Sequence, residues 1–329
     1  MRPLSEMLAR IPRRRRFRRR ATARRVSTET LERRLLLTFD PSPLEQEMLE
    51  LLNRFRDNPQ AELDELLSSH PNPLAALDAD VQAALDFFEV DGNALESQFA
   101  GLSPAAPLAW NEALYTAAES HNELMIQFDQ QSHQLPGEAG LLDRDVAAGY
   151  DWQFSVRVGE NIFAYSQSVI YGHAAFVIDW GFGTNGIQEP AGHRINMLDQ
   201  GFQEIGISII EESNPSTLVG PLVISQEFGR RGNYGNPAVV GVVYDDLNAD
   251  GFYNAGEGLS GVTVELSGTN GTFTTTSLTA GGYQAKVPSG TYTATATGGS
   301  LGGEIRQFNV MVGGSNVKVD FNAAGSVSV

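Results

Sequence analysis

The chain has 329 residues, more than one hydrophobic core ordinarily serves, so two or three domains are expected. It is 41% hydrophobic, enough for packed cores, and it has no cysteine, which excludes disulfides, thiolate nucleophiles, Cys-based zinc sites and iron–sulfur clusters. The net charge of −17 is split: residues 1–34 carry 13 Arg against 3 acids, whereas residues 35–329 carry 10 basic and 37 acidic residues. So acidic a body repels phosphates, and nucleic acid is not expected as a partner.

No run approaches the ~20 apolar residues of a membrane-spanning helix, so no transmembrane segment is expected. Residues 1–41 read as a basic leader, disordered or a sorting signal, because Leu35 to Leu37 is too short for a secretory apolar core. Its Leu31-Glu32-x-Arg34-x-Leu36-Leu37 resembles the end of the Arg-rich leaders of large bacterial surface proteins, which implies export.

Ser42-Pro43 reads as an N-cap and first helical residue, and Leu44, Met48, Leu51, Leu52 and Phe55 then recur on one helical face. Residues 60–105 read as short helices broken by Pro and Gly, with Leu63, Leu66, Leu67, Leu77, Leu85 and Phe88 packing. A second helix is predicted over about Asn111 to Phe128, striped by Leu114, Ala118, His121, Met125 and Phe128. A third covers about Tyr171 to Trp180. Two strand-like runs follow, Glu204 to Ile210 and Leu222 to Phe228. Helices alternating with a few strands predict a mixed α/β or α+β domain over residues 42–231.

The composition changes at Arg230 to Pro237. Beyond it, seven short alternating runs, Val239–Tyr244, Val262–Leu266, Phe273–Ser277, Tyr283–Val287, Thr291–Thr297, Ile305–Val312 and Asn316–Phe321, read as a seven-stranded all-β sandwich.

Of five histidines, His133 follows the second helix and His193 lies in Gly192-His193-Arg194-Ile195-Asn196-Met197-Leu198, with Gly159-Glu160-Asn161-Ile162 between them. Spacing alone leaves these as unrelated positions. However, Pro107-Leu-x-Trp-Asn-x-x-Leu114, Ala117 to Met125, Ser132-His133, Arg144, Gly149-Tyr150, Gly159 to Ile162, Trp180, Gly192 to Leu198, Gly206-Ile207 and Gln226-x-Phe-Gly229 together resemble the CAP superfamily. That is the group of cysteine-rich secretory, antigen 5 and pathogenesis-related class 1 proteins. The likeness covers about residues 43–231, with 60–105 as an insertion. It implies an α–β–α sandwich whose cleft gathers two histidines and two acids, with His133, Glu160 and His193 at three of the four positions. The fourth acid falls on Gly183; Asp179 or Glu189 is a candidate replacement.

Two imidazoles and a carboxylate suit zinc or another divalent ion, and equally a proton relay. No nucleophile stands out, since Ser132 merely adjoins His133 and no nucleophile-elbow motif is present. Asn161 is expected to cap a turn, Trp180 to fill core, and Arg194 to pair with a carboxylate. His121 is expected to fill its helix's apolar face, and His70 and His173 to lie at the surface.

Asp246-x-Asn248-x-Asp250-Gly251-Phe252-x-Asn254-x-x-Glu257 fits a calcium loop of the EF-hand pattern, with side-chain oxygens at positions 1, 3, 5, 9 and 12 and the Phe252 carbonyl at position 7. Its flanks are strand-like. With Gly256 to Val264, Gly282-Tyr283 and Gly290-Thr291-Tyr292, it resembles the Sdr-type B-repeat (Cna-B-like) domains of bacterial surface proteins over residues 238–323. The resemblance implies a calcium-stiffened spacer. Lys286 and Lys318 are the only lysines, and no isopeptide cross-link is expected of them.

These features predict an α+β multidomain protein, exported to the extracellular space or cell surface. Three functions stay open: a cleft binding a divalent metal, a small hydrophobic molecule, a lipid or a peptide; a metal-dependent hydrolase using the same residues; and a non-catalytic adhesion or scaffold protein contacting cell-surface components. The non-enzymatic readings are favoured because the fourth acid and a nucleophile are missing.

Overall fold

The structure, a computed structural model, describes residues 39–329, so the Arg-rich part of the expected leader lies outside the described residues. In chain order these residues form α1 (Pro43–Asp57), α2 (Glu62–Leu66), β1 (Leu67–Ser69), β2 (Ala75–Ala76), α3 (Ala79–Phe88), α4 (Gly92–Phe99), β3 (Ala109–Trp110) and α5 (Glu112–Phe128). Next come α6 (Leu141–Ala147), β4 (Val156–Ser166), α7 (Val169–Ile178), α8 (Gly192–Leu198), β5 (Glu204–Glu211) and β6 (Leu222–Arg231). The rest is strand: β7 (Ala238–Tyr244), β8 (Thr263–Gly268), β9 (Gly271–Thr276), β10 (Gly282–Lys286), β11 (Gly290–Thr297), β12 (Ile305–Val312), β13 (Val317–Lys318), β14 (Asp320–Asn322) and β15 (Val327–Ser328). No helix among the described residues is long and apolar enough to cross a membrane.

The N-terminal lobe is built on a four-stranded sheet ordered β3-β5-β6-β4, which leaves β4 at an edge. Strand alternation sends successive side chains to opposite faces. Ile205, Ile207, Ile209, Ile224 and Phe228 face α1 and α7 in one large core. Val223, Ile162 and Ala164 face Met125 of α5 in a smaller one. Helices therefore cover both faces. Gly206 is required by this packing, because a Cβ there would lie 2.0 Å from the Leu114 backbone of α5.

α1 starts as expected: Ser42 accepts the Glu45 N–H, and the Glu45 carboxylate accepts the Ser42 N–H at 2.7 Å. The structure corrects two packing expectations, since Leu77 is exposed and Phe128 is 40% exposed. It also adds a long strand, β4, where only two were expected. Its centre holds Gly159, Glu160 and Asn161, which hide the apolar alternation.

The C-terminal lobe consists of a five-stranded sheet, β10-β7-β14-β15 with β13 also on β7, and a four-stranded sheet, β12-β11-β8-β9. Val239, Val243, Tyr283 and Phe321 of the first share one core with Val264, Leu266, Tyr292 and Val310 of the second. The seventh expected run splits into β13 and β14 around Val319, and β15 is additional.

Residues 39–329 form one compact unit. Ala109 packs with Ala238 and Val240 across the lobes. The Asn316 amide donates to the carbonyls of Pro107 and Gln203 at 3.0 and 2.9 Å, and Lys318 Nζ lies 2.7 Å from Glu50 of α1.

Candidate functional site

β4 carries the centre of the site, and its alternation divides it. Glu160 points to the α5/α6 face, and Asn161 to the α7/α8 face. His133 reaches Glu160 from the loop after α5, whose exit is set by Asp129 in the left-handed region (φ 51). His133 Nδ1 lies 2.5 Å from Glu160 Oε1. Arg144 of α6 contacts the second oxygen of Glu160, lies 2.8 Å from Glu227 of β6, and is 3.7 Å from Glu138. His121 Nδ1 meets Glu138 at 2.6 Å, while its Nε2 is 3.8 Å from Glu160.

Three carboxyl groups, on Glu138, Glu160 and Glu227, thus gather round one guanidinium in a largely buried space, and Asp145 adjoins Arg144 in the chain. Burial pushes the Glu227 carboxyl well above its ordinary range against the pull of Arg144. It raises Asp145 to about 7, also against Arg144. Both Asp145 oxygens are buried without a hydrogen-bond partner among the described residues. Burial and the Arg144 charge lower His133; burial lowers His121 despite Glu138. Neutral imidazoles beside Arg144 are the expected state at neutral pH.

His193 starts α8 on the other face. Its Nδ1 lies 2.8 Å from Asp179 Oδ1, and its backbone N–H donates to Asp179 Oδ2 at 2.9 Å. Asp179, fully buried and left-handed (φ 59) after α7, therefore provides a carboxylate beside the second histidine. Glu189 does not fill that role. Gly183 cannot carry the acid in this backbone, since a Cβ there would lie 2.0 Å from the Ile187 carbonyl oxygen.

Asn161 is a strand residue, not the expected turn cap: its amide donates to the His193 carbonyl at 3.2 Å and to Gln226 at 3.1 Å. Asn196 closes the set on Asn161 Oδ1 and the Glu160 carbonyl. The Arg194 guanidinium faces the Val177 carbonyl and Gln98 and forms no ion pair among the described residues; only its backbone N–H bonds Asp179. Trp180 is buried as expected. His173 is fully buried rather than at the surface, 2.7 Å from Glu62. α7 is apolar on every side, and its one imidazole is met by Glu62 of α2, which local spacing cannot reveal. His70 bridges Asp64 and Glu96.

The two histidine–carboxylate pairs flank edge strand β4, and no hydrogen bond or ion pair among the described residues joins them directly. Each histidine engages its carboxylate through Nδ1 and leaves Nε2 free, the orientation metal-ligating histidines adopt. Glu160, however, is already engaged by Arg144. Among the described residues no three His, Asp or Glu side chains converge as a metal ion requires. The Ser132 hydroxyl donates to the Gln134 carbonyl at 2.9 Å, so it is not aimed at His133.

His193 borders a cleft of about 490 Å³ walled by Phe88, Phe163, Trp180 and Phe182, with Glu189 at its rim. Phe88 ends α3, and Phe182 comes from the loop after α7; their rings meet edge to face at 5.1 Å.

In the C-terminal lobe, loop 246–257 joins β7 to the segment before β8. Asp246 accepts the N–H groups of Asp250 and Gly251, and Glu257 accepts those of Leu247 and Asn254. The amides of Asn248 and Asn254 donate to Asp250 at 2.8 and 2.9 Å. Gly251 has the left-handed φ of +81° that the sharp turn demands. The expected ligands are all oxygens, the kind calcium takes, but the three carboxylates are engaged by these N–H and amide groups and do not converge on one point among the described residues.

Sequence reasoning missed His121, Glu138, Asp145 and Glu227 as members of the site. Glu227 carried a signal: a carboxylate inside Leu222–Phe228, where a buried strand otherwise avoids charge. The others show none locally.

The model of the cysteine-rich secretory protein family, CAP, matches residues 49–228. The crystal structure of an extracellular protein containing an SCP domain from Bacillus anthracis str. Ames is similar at 22% identity, with a TM-score of 0.30, over 50% of this chain. The match spans 45% of that protein's chain. No curated protein matches the sequence. With the family model covering more than half of the 329 residues, the chain belongs to the cysteine-rich secretory protein (CAP) family.

Proposed function

We propose that this CAP-family chain is an exported, non-catalytic binding protein that takes a small apolar molecule in the cleft beside His193. The aromatic lining carries this reading: Phe88, Phe163, Trp180 and Phe182 wall about 490 Å³, with Gln131, Gln188, Glu189 and His193 as the polar groups that would orient a ligand. A serine-type hydrolase is disfavoured because the Ser132 hydroxyl beside His133 is turned to a backbone carbonyl, and a metal-dependent one because no three His, Asp or Glu side chains converge among the described residues. A divalent ion at His133 or at His193 is the second reading, favoured by the carboxylate that orients each imidazole through Nδ1.

The C-terminal lobe is proposed to be an Sdr B-like β-sandwich holding calcium at Asp246, Asn248, Asp250, Phe252, Asn254 and Glu257. Support comes from the full loop pattern and its left-handed glycine. Calcium abundant outside cells would keep such a loop filled, in keeping with export and with the Arg-rich leader.

Titrating the full-length protein with the neutral probe N-phenyl-1-naphthylamine tests the cleft. Saturable binding is expected, weakened about tenfold in Phe88→Ala through loss of buried aromatic surface. No saturable binding in the wild type would sink the cleft and leave the scaffold reading. Zinc titrated into wild type, His133→Ala and His193→Ala tests the second reading. Calcium is expected to raise the melting temperature of the wild type and not that of Asp250→Ala/Glu257→Ala.

A further inference from the structure

We propose that the cleft recognises a quaternary ammonium group, such as the trimethylammonium head of a choline-like molecule. This rests on the binding-cleft reading and names the ligand class. Four of the walls are aromatic and come from three places in the chain: Phe88 from the segment 60–105, Phe163 from β4, and Trp180 and Phe182 from the α7–α8 connection; Gln131, Gln188 and His193 complete the lining with Glu189. An aromatic ring carries negative potential on its face, and several rings around one volume attract a methylated cation too weakly hydrated to prefer water.

The charges agree. No Lys or Arg among the described residues lines the cleft, and Glu189 is its one acid. A carboxylate- or phosphate-headed ligand would find no cation there and would meet Glu189. Residues 35–329 carry 37 acidic against 10 basic residues, which concentrates cations at the surface.

The site is also built in advance. Phe182 is 89% exposed, so folding gains little from it, yet it is held at the lip. Phe87 and Phe88 meet it edge to face at 6.0 and 5.1 Å, forming a corner of rings rather than a stack. The loop behind it is pinned: the Asp91 N–H donates to the Asn185 carbonyl at 3.0 Å. Gly186, with φ +72°, packs so closely that a Cβ would sit 2.4 Å from the Phe88 carbonyl oxygen. Rings fixed before the ligand arrives lose little entropy on binding.

Choline and its neutral isostere 3,3-dimethyl-1-butanol, titrated into the full-length protein at low salt with tryptophan fluorescence as readout, test the proposal. Choline is expected to bind about tenfold more tightly than the isostere. Phe182→Ala, at an exposed position that spares folding, is expected to weaken choline about tenfold. Glu189→Gln is expected to narrow the preference for choline about fivefold. Equal binding of the two would overturn the ammonium proposal and leave the apolar cleft standing. Binding of neither, together with no binding of N-phenyl-1-naphthylamine, would overturn both.

Discussion

Asp145 sits, like Glu227, where burial works against its charge. Burial holds its carboxyl near 7 against the attraction of Arg144, and neither oxygen has a hydrogen-bond partner among the described residues. The native value lies above the ordinary 3.8, so this group's stability contribution is complete below about pH 4 and is lost as pH rises towards 7. Asp145→Asn is therefore expected to unfold later in urea at pH 8, by on the order of 2 kcal/mol, with the gain gone near pH 4. A gain that does not change with pH would rule out ionisation as its cause. His121 and His133 act in the other direction. Burial, joined at His133 by Arg144, lowers both below 6.5, so their contribution is present above that value and lost as pH falls.

At the scale of elements, α8 depends on β4. Seven residues make a short helix without a side-chain cap of its own, so its position comes from outside. Asp179 receives its first N–H groups, and Asn161 holds the His193 carbonyl, Gln226 and Asn196 together. Asn161→Ala leaves those buried partners unmet and is expected to cost about 2 kcal/mol in denaturant unfolding. Probe affinity at the cleft is expected to fall with it, because His193 loses its anchor. α1 and α5 were readable from periodicity and caps, since Ser42 and Asn111 begin them where expected. β4 was not, because two polar side chains serving opposite faces interrupt its pattern. A strand whose centre is occupied by site residues does not advertise itself.

Over the whole molecule, the C-terminal lobe does not behave as a detached spacer. Lys318 reaches across to Glu50, 2% exposed in α1, and Asp320 sits on the same ammonium. Although burial opposes it, these two carboxylates hold the Lys318 ammonium above its ordinary range. Phe252 of the candidate calcium loop packs on the N-terminal core, and the Arg54 guanidinium lies 4.7 Å from its ring centre. Lys318→Met strands the Glu50 carboxylate, and a cost of about 3 kcal/mol is expected from thermal or urea unfolding. Pairing it with Glu50→Leu is expected to recover most of that loss. If the double variant is no more stable than Lys318→Met, the ion pair is not what ties the lobes.

The chain order of motifs from Pro107 to Gly229 sufficed to place this protein among its relatives, because helix faces, caps and turn glycines are local properties written in neighbouring residues. As candidates, His133, Glu160 and His193 were legible through the family likeness alone, not through their spacing. Which acid accompanies His193 was not: Asp179 does so because a left-handed residue ends α7 against the start of α8, while the Ile187 carbonyl excludes a side chain at 183. The three carboxyls around Arg144, and the joining of Phe88 to Phe182 in one cleft, likewise arose only on folding. Burial and proximity between distant segments set charge states and cavities, and neither quantity exists until the chain is packed.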